Sequence, residues 1–166
     1  MELNPYAKYL GEQDARTVLS ATPELLYQAA CTLTPEQIEA PTAPGKWSVR
    51  EIVAHVADCE LVFSFRLRQT LAEDQPVIQP FDQDLWARHY AAYDLPAGLE
   101  LFRATRTWNL KLIGGLPNLE LARTMTHPER GTMTFQNVLE TMAGHDLNHL
   151  GQVQAYVARV AGSTAG

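Results

Sequence analysis

The 166-residue chain contains only two cysteines, Cys31 and Cys59, and they are not arranged as a Cys-x-x-Cys pair. A small secreted fold stabilised by disulfides would contain more, so we expect a protein of the reducing cytoplasm. The first residues, MELNP, are neither basic nor apolar and predict no signal peptide.

Long apolar runs and clustered positive charge are also missing. No stretch approaches the run of about eighteen apolar residues that a membrane-spanning helix needs, so we predict no membrane partner. The 13 Lys and Arg residues are outnumbered by 19 Asp and Glu residues, giving a net charge of −6. The basic residues are scattered, which argues against nucleic acid because a phosphate backbone requires clustered cations. The charge pattern therefore predicts no nucleic-acid partner.

Strand-like alternation is scarce, and helical periodicity dominates. The periodicity predicts four long helical segments, at about residues 14–32, 48–71, 96–114 and 134–161. Thr22-Pro23 leaves open two short helices in the first segment, and Asp82 is expected to cap a short additional helix. The connections between the long segments are themselves long. The sequence therefore predicts an all-α protein, a four-helix bundle with a long crossover connection, as a single domain over residues 1–166.

Three of the five histidines occupy positions where a helix should present apolar side chains to the core. His145 and His149 continue the apolar stripe of the last segment and share one face. His55 lies on the stripe of Ile52 and Cys59. Burying three imidazoles without partners would cost about 1–3 kcal/mol each. A shared metal removes that cost because each neutral ring offers a lone pair, so we predict one divalent transition-metal ion at His55, His145 and His149.

Each signal has an ordinary alternative when taken alone. A single buried histidine is commonly a hydrogen-bonded structural residue, and His-x-x-x-His is only modestly specific for metal. His89 and His127 lie off the stripes and are predicted to be surface or loop residues. Cys59 is a candidate fourth ligand, although its apolar context favours packing as a small hydrophobe. Asp146 is predicted to orient a neighbouring ring by accepting its hydrogen bond.

Two segments resemble a known family. Residues 44–51 (PGKWSVRE) followed by His55 resemble the entry to the second helix of the DinB/YfiT-like superfamily. Residues 127–131 (HPERG), then Thr134 and residues 145–152 (HDLNHLGQ), are similar to its last-helix signature. The resemblance covers roughly residues 14–160.

This resemblance implies a bundle of unusual topology, often dimeric, with metal ligands that fall on His55, His145 and His149. Zinc and nickel are the metals it implies first, with iron or manganese also open. Relatives with known activities imply a thiol S-transferase or isomerase that combines a small electrophile with a low-molecular-weight thiol such as bacillithiol or mycothiol. A metal-dependent hydrolase, or a bundle that binds metal or a small ligand without turnover, stays open as an alternative.

Three protein ligands would leave a position open on the metal for water or a thiolate. Arg66 lies about three helical turns after His55 on the same face, and we predict that it binds an anionic group of the thiol. Gln152 is a candidate for orienting a water on the metal. Trp86 is expected at the rim of the substrate pocket, together with Asp82. Each of these residues also fits an ordinary surface or packing role.

Overall fold

The computed structural model describes residues 3–163 and consists of helices with one small sheet. Four helices are long and form a bundle, which confirms the predicted all-α class. In chain order the elements are α1 (Ala7–Leu10), α2 (Ala15–Cys31), α3 (Pro35–Glu39), α4 (Val49–Ala72), α5 (Gln83–Ala87), α6 (Leu95–Gly114), β1 (Thr124–His127), β2 (Gly131–Thr134) and α7 (Phe135–Ser163). No helix among the described residues is both long and apolar enough to cross a membrane.

Side-chain caps determine where the long helices begin. Ser48 Oγ accepts a hydrogen bond from the Glu51 amide at 3.2 Å, and the Glu51 carboxylate accepts from the Ser48 amide at 2.8 Å. This is a capping box, and α4 begins at the next residue. Asp82 and Asp94 cap α5 and α6 through their carboxylates. The predicted ends of the four long helices agree with the structure to within two residues.

Pro23 lies inside α2, which is one continuous helix rather than two short ones. A proline has no N–H to donate to the carbonyl four residues earlier, which here belongs to Leu19. That carbonyl accepts a hydrogen bond from Arg106 Nη1 at 3.0 Å instead. A side chain from α6 therefore replaces the missing backbone donor.

Two of the three connections between the long helices, α2 to α4 and α6 to α7, cross the bundle diagonally, whereas α4 and α6 are neighbours. α2 packs mainly against α7 and α6, and α4 packs against the same two helices from the other side. Consecutive helices α2 and α4 are thus diagonal, as are α6 and α7. The long connections between them explain how the chain reaches the far side, and the predicted crossover is confirmed.

The connection between the third and fourth predicted helical segments, residues 115–133, contains a β-hairpin that the sequence did not predict. β1 pairs with β2 in antiparallel register, with Met125 opposite Met133. Both methionines are buried, whereas Gly131 starts the return strand with a φ of +82°, a left-handed value that favours glycine. Four-residue strands are too short for a clear alternation signal, so helical periodicity alone could not reveal them.

A polar layer divides the core at mid-height. One apolar cluster at the hairpin end includes Leu19, Leu67 and Phe135, and a second at the other end includes Leu26 and Val153. Between them lie buried polar side chains contributed by all four long helices: Thr22, His55, Glu60, Arg106, Asn109, His145, Asp146 and His149. The fold therefore concentrates its buried polar chemistry at one level.

Candidate metal centre

α4 and α7 bring the three predicted histidines together inside the polar layer. His55 is 1% exposed, His145 is 4% exposed and His149 is 6% exposed. The ring centroids are 5.1 Å apart for His55 and His145, 4.8 Å for His55 and His149, and 4.5 Å for His145 and His149. Residues 90 positions apart in the chain thus form one compact group of imidazoles.

The inner nitrogens of two rings point at each other. Nε2 of His55 lies 3.0 Å from Nε2 of His145. Nδ1 of His149 lies 3.1 Å from Gln152 Oε1, and Nδ1 of His55 lies 3.3 Å from the Tyr90 hydroxyl. In the tautomers in which these outer nitrogens donate, the Nε2 lone pairs of His55 and His149 are left free for a metal. Gln152 thus contacts a predicted ligand ring directly.

Burial keeps the three rings neutral, which is the form that binds metal. Burial, with His149 nearby, lowers the pKa of His55 to about 3. Burial lowers the pKa of His149 to about 4, although the hydrogen bond with Gln152 opposes the shift. Burial and the two neighbouring histidines also hold the pKa of His145 well below its usual value. A neutral imidazole cluster suits zinc and the other transition metals predicted for this site.

Cys59 adds a sulfur donor to the same group. Its Sγ lies 3.5 Å from His55 Nε2, and donor atoms of His55, Cys59 and His145 all fall within 4.8 Å of one another. Burial and nearby carboxylates, Asp58 first among them, raise the thiol pKa above its usual value. The thiol is therefore protonated in the protein without metal, and ionising it would require a cation beside it.

Aromatic side chains close the centre, and most of them were not predicted to be site residues. Trp47 packs against His55 with ring centroids 4.8 Å apart, and Tyr90 contacts the same ring through its hydroxyl. Tyr6, in the N-terminal segment, meets His145 edge-on at 5.2 Å. The close approach of Tyr6 requires Gly144, because a Cβ there would lie 2.5 Å from the Tyr6 carbonyl oxygen. Only Trp47 had a sequence signal, as part of the segment PGKWSVRE.

Asp146 is directed away from the histidines. We predicted that it would orient a neighbouring ring, but its carboxylate binds Arg106 at 2.6 Å. Arg106 also pairs with Glu60 at 2.7 Å, and Asn109 donates to Glu60 at 2.6 Å. Because His145 and Asp146 are adjacent on α7, their side chains diverge, and Asp146 is directed to the Arg106 side. The prediction for Asp146 is therefore corrected to a partner in a buried ion network.

Two cavities reach the histidine group from different sides. One of about 610 Å³ is lined by Trp47, His149 and Gln152. The other, of about 360 Å³, is lined by Cys59 and His145. Tyr6 and Gln83 line both cavities. The group is therefore accessible from two directions.

The structure separates the two predicted substrate-binding residues. Arg66 lines the smaller cavity together with Cys59 and His145. Trp86 lines neither cavity at the histidines; it packs against Phe81 at 4.9 Å and borders a separate surface cleft. The expectation that Trp86 forms the pocket rim is therefore wrong. Its short helix, α5, turns the indole outward.

The two remaining histidines, His89 and His127, differ in their exposure to solvent. His89 is exposed, as predicted. His127 was also expected at the surface, but it is 5% exposed in β1 and lines the smaller cavity. Its Nδ1 accepts a hydrogen bond from the Glu129 amide at 3.1 Å, which places the ring proton of the neutral form on Nε2. The hairpin that sequence periodicity missed is what buries this histidine.

Comparisons with known proteins also relate this chain to proteins named for dependence on a metal. Residues 19–153 match the model of the DinB superfamily. A protein of Oceanobacillus iheyensis named "Putative metal-dependent hydrolase" is 31% identical over 139 residues, covering 82% of this chain and 80% of that protein. YfiT of Bacillus subtilis, which has the same description, is 27% identical over 139 residues, covering 82% and 78%.

A solved structure has the same architecture. It is described as YfiT from Bacillus subtilis, "a probable metal-dependent hydrolase with an unusual four-helix bundle topology". It superposes with a TM-score of 0.83 at 26% identity, covering 89% of this chain and 86% of that one. The diagonal placement of consecutive helices is therefore shared with a solved relative.

Proposed function

The chain belongs to the DinB superfamily, and on this premise we propose that it is a metal-dependent hydrolase of a small substrate, with His55, His145 and His149 as the metal ligands. The observation that carries the proposal is the facing pair of Nε2 atoms, 3.0 Å apart, in a buried and neutral imidazole group. The names of the relatives support the reaction class. Zinc or nickel is the proposed ion.

A divalent cation held at these nitrogens supplies Lewis acidity and lowers the pKa of a nucleophile bound beside it. The chain's own residues prepare the site for that ion. When Gln152 and Tyr90 accept hydrogen bonds from the outer nitrogens of His149 and His55, the inner nitrogens of these rings stay free. Trp47 covers the His55 ring and limits water on that side. Cys59 is a neutral thiol in the protein without metal, and three histidine ligands leave a position open for the reactants.

Hydrolysis can be tested on a panel of small esters and amides. Protein as purified should hydrolyse at least one of them, chelator-treated protein should not, and added zinc or nickel should restore the rate. His145→Ala should behave like chelator-treated protein, whereas His89→Ala, in an exposed histidine, is the matched control. Equal rates with and without metal would overturn the proposal.

Thiol S-transfer is a second candidate, and the two cavities favour it. A transfer reaction needs room for two organic reactants beside one ion, and cavities of about 610 and 360 Å³ meet at the histidines. Cobalt-substituted protein would report thiol coordination as a near-ultraviolet charge-transfer band. A saturable band with a bacillithiol-like or mycothiol-like thiol, and transfer to an electrophile, would support this candidate. Hydrolysis of the panel with no such band would exclude it.

A further inference from the structure

The smaller cavity brings two arginine side chains together. Arg66 extends from α4 and Arg130 from the turn between β1 and β2, and both line the cavity. Among the residues that the structure describes, neither guanidinium has a carboxylate oxygen within 4.0 Å. Other arginines of the bundle, such as Arg106 and Arg50, do form such pairs. Within the described residues, the cavity therefore brings together two guanidinium groups that lack an ion-pair partner.

Arg66 is held in place but is not saturated by protein acceptors. Its Nη2 donates to the Gln79 carbonyl at 2.8 Å, which anchors the guanidinium. Its Nε is buried and has no hydrogen-bond partner within the described part of the chain. A buried N–H without an acceptor costs free energy, so the protein does not use the full donor capacity of Arg66.

Further donors line the same cavity. The neutral form of His127 carries its proton on Nε2, because its Nδ1 accepts from the Glu129 amide. Tyr6 contributes a phenol, and no hydrogen bond from it is found within residues 3–163. The carboxylate that lines the cavity is that of Glu129, which is exposed and forms no ion pair with either arginine. Positive charge and N–H donors thus dominate the lining.

The arginines and the metal ligands share this cavity. Cys59 and Arg66 are both on α4, and their spacing of about two helical turns corresponds to roughly 10 Å along the axis. His145 lines the cavity at the Cys59 end. A molecule of a few bonds in length could therefore place one end at the metal ligands and the other at the guanidinium groups.

We infer that Arg66 and Arg130 form an anion-binding subsite that selects substrates with a carboxylate or phosphate group several bonds from the reacting atom. Guanidinium groups recognise the paired oxygens of either anion through charge-assisted hydrogen bonds. His127 and Tyr6 supply further donors to the same group. The inference rests on the proposed function, because it treats the cavity as the place where the substrate meets the metal.

Anion binding can be measured without any reaction. Protein as purified, with its metal content determined, is titrated calorimetrically with inorganic phosphate and with succinate at constant ionic strength. Saturable binding of at least one probe is expected, and the stronger one identifies the anion class. Arg66→Gln and Arg130→Gln should each weaken it about tenfold or more while leaving metal content unchanged. Arg103→Gln removes the same charge from an exposed position on α6 and should change nothing.

Three outcomes would overturn the inference. The first is that neither probe binds saturably. The second is that both arginine variants bind the probe as tightly as the parent protein does. The third is that Arg103→Gln weakens probe binding as much as Arg66→Gln and Arg130→Gln do. Binding that persists in the arginine variants but disappears in His145→Ala would assign the anion to the metal alone. If Arg66→Gln fails to fold, two other variants still decide the result. Arg130→Gln changes a partly exposed turn residue, and Arg66→Lys keeps the positive charge. If the protein binds the anion but fails the hydrolysis and thiol tests, the proposed function is refuted and the anion-binding subsite stands.

Discussion

Two buried polar groups lie side by side at mid-height of the bundle, and they are built in opposite ways. In the ion network, Arg106 is matched by Glu60 and Asp146, and its Nη1 also donates to the Leu19 carbonyl. Burial lowers the pKa of Arg106, but the two carboxylates more than offset this effect and the net shift is upward. This group is satisfied by the protein itself.

The histidine group has the opposite character. Its three rings are neutral, and no carboxylate of the described residues forms an ion pair with them. Gln152 and Tyr90 contact outer nitrogens of His149 and His55, and the inner nitrogens of His55 and His145 face each other. A buried polar group with complete partners stabilises a fold, whereas one with free lone pairs is prepared for a ligand. Burial alone therefore does not distinguish a structural cluster from a binding site, but hydrogen-bond completeness does.

The largest effect should come from removing a metal ligand. His55→Ala, His145→Ala and His149→Ala should each reduce metal content from about one equivalent to near zero, because structural and catalytic metal affinities depend on the full ligand set. Elemental analysis of purified protein measures this directly. His89→Ala should keep its metal. Full metal retention by any of the three variants would remove that histidine from the ligand set.

Disrupting the ion network should instead reduce stability. Arg106→Leu leaves Glu60 and Asp146 buried without a counter-charge, which typically costs about 3–5 kcal/mol of unfolding free energy. Urea denaturation of the variant and the parent protein, both without metal, gives the difference. In the same assay His149→Ala should lower the free energy of unfolding by clearly less, because it leaves no buried charge. An Arg106 variant as stable as the parent would show that the two groups do not differ as described.

Acid should destabilise the protein without metal through its histidine group. The native pKa values of about 3 for His55 and about 4 for His149 lie below the usual 6.5, so the unfolded chain binds more protons than the native one. In protein without metal, the unfolding free energy should therefore fall as pH drops below 6.5. Over the first pH unit the loss should be about 1 kcal/mol per histidine. Denaturation midpoints between pH 7 and 5 measure it, and a flat profile would contradict these shifts.

Replacing Cys59 should have the smallest effect of these substitutions. If three histidines hold the metal, Cys59→Ala should leave metal content unchanged, and cobalt-substituted parent protein should show no sulfur charge-transfer band before thiol is added. A band in the resting protein that disappears in Cys59→Ala would identify a fourth ligand. In that case the centre would be closed by protein, as structural zinc sites are.

Long, periodic and capped segments were predictable from the sequence. The Ser-x-x-Glu spacing of Ser48 and Glu51 is typical of a helix start, and α4 begins there. The stripe positions of His55 and His145 predicted that two distant helices face each other. Both signals are local, because a cap or a stripe depends only on residues within a few turns.

Contacts made by irregular segments could not be predicted in this way. Tyr6 reaches His145 from outside the long helices, and His127 is buried by a hairpin with four-residue strands. Asp146 was predicted to orient a neighbouring histidine ring. A helix turns successive side chains by about 100°, however, and this directs Asp146 to Arg106. The direction of a side chain across a bundle depends on the partner helix, which the sequence of one helix does not specify.

The crossing connections also determine when the metal centre can first exist in a newly made chain. His55 and His145 are 90 residues apart, and at about 5–20 residues per second the ribosome needs roughly 5–20 s to make that stretch. During this interval α4 carries its imidazole and its thiol without α7 to cover them. The growing chain cannot capture the ion with its full ligand set until α7 has emerged and docked, so metal loading has to follow the completion of the bundle.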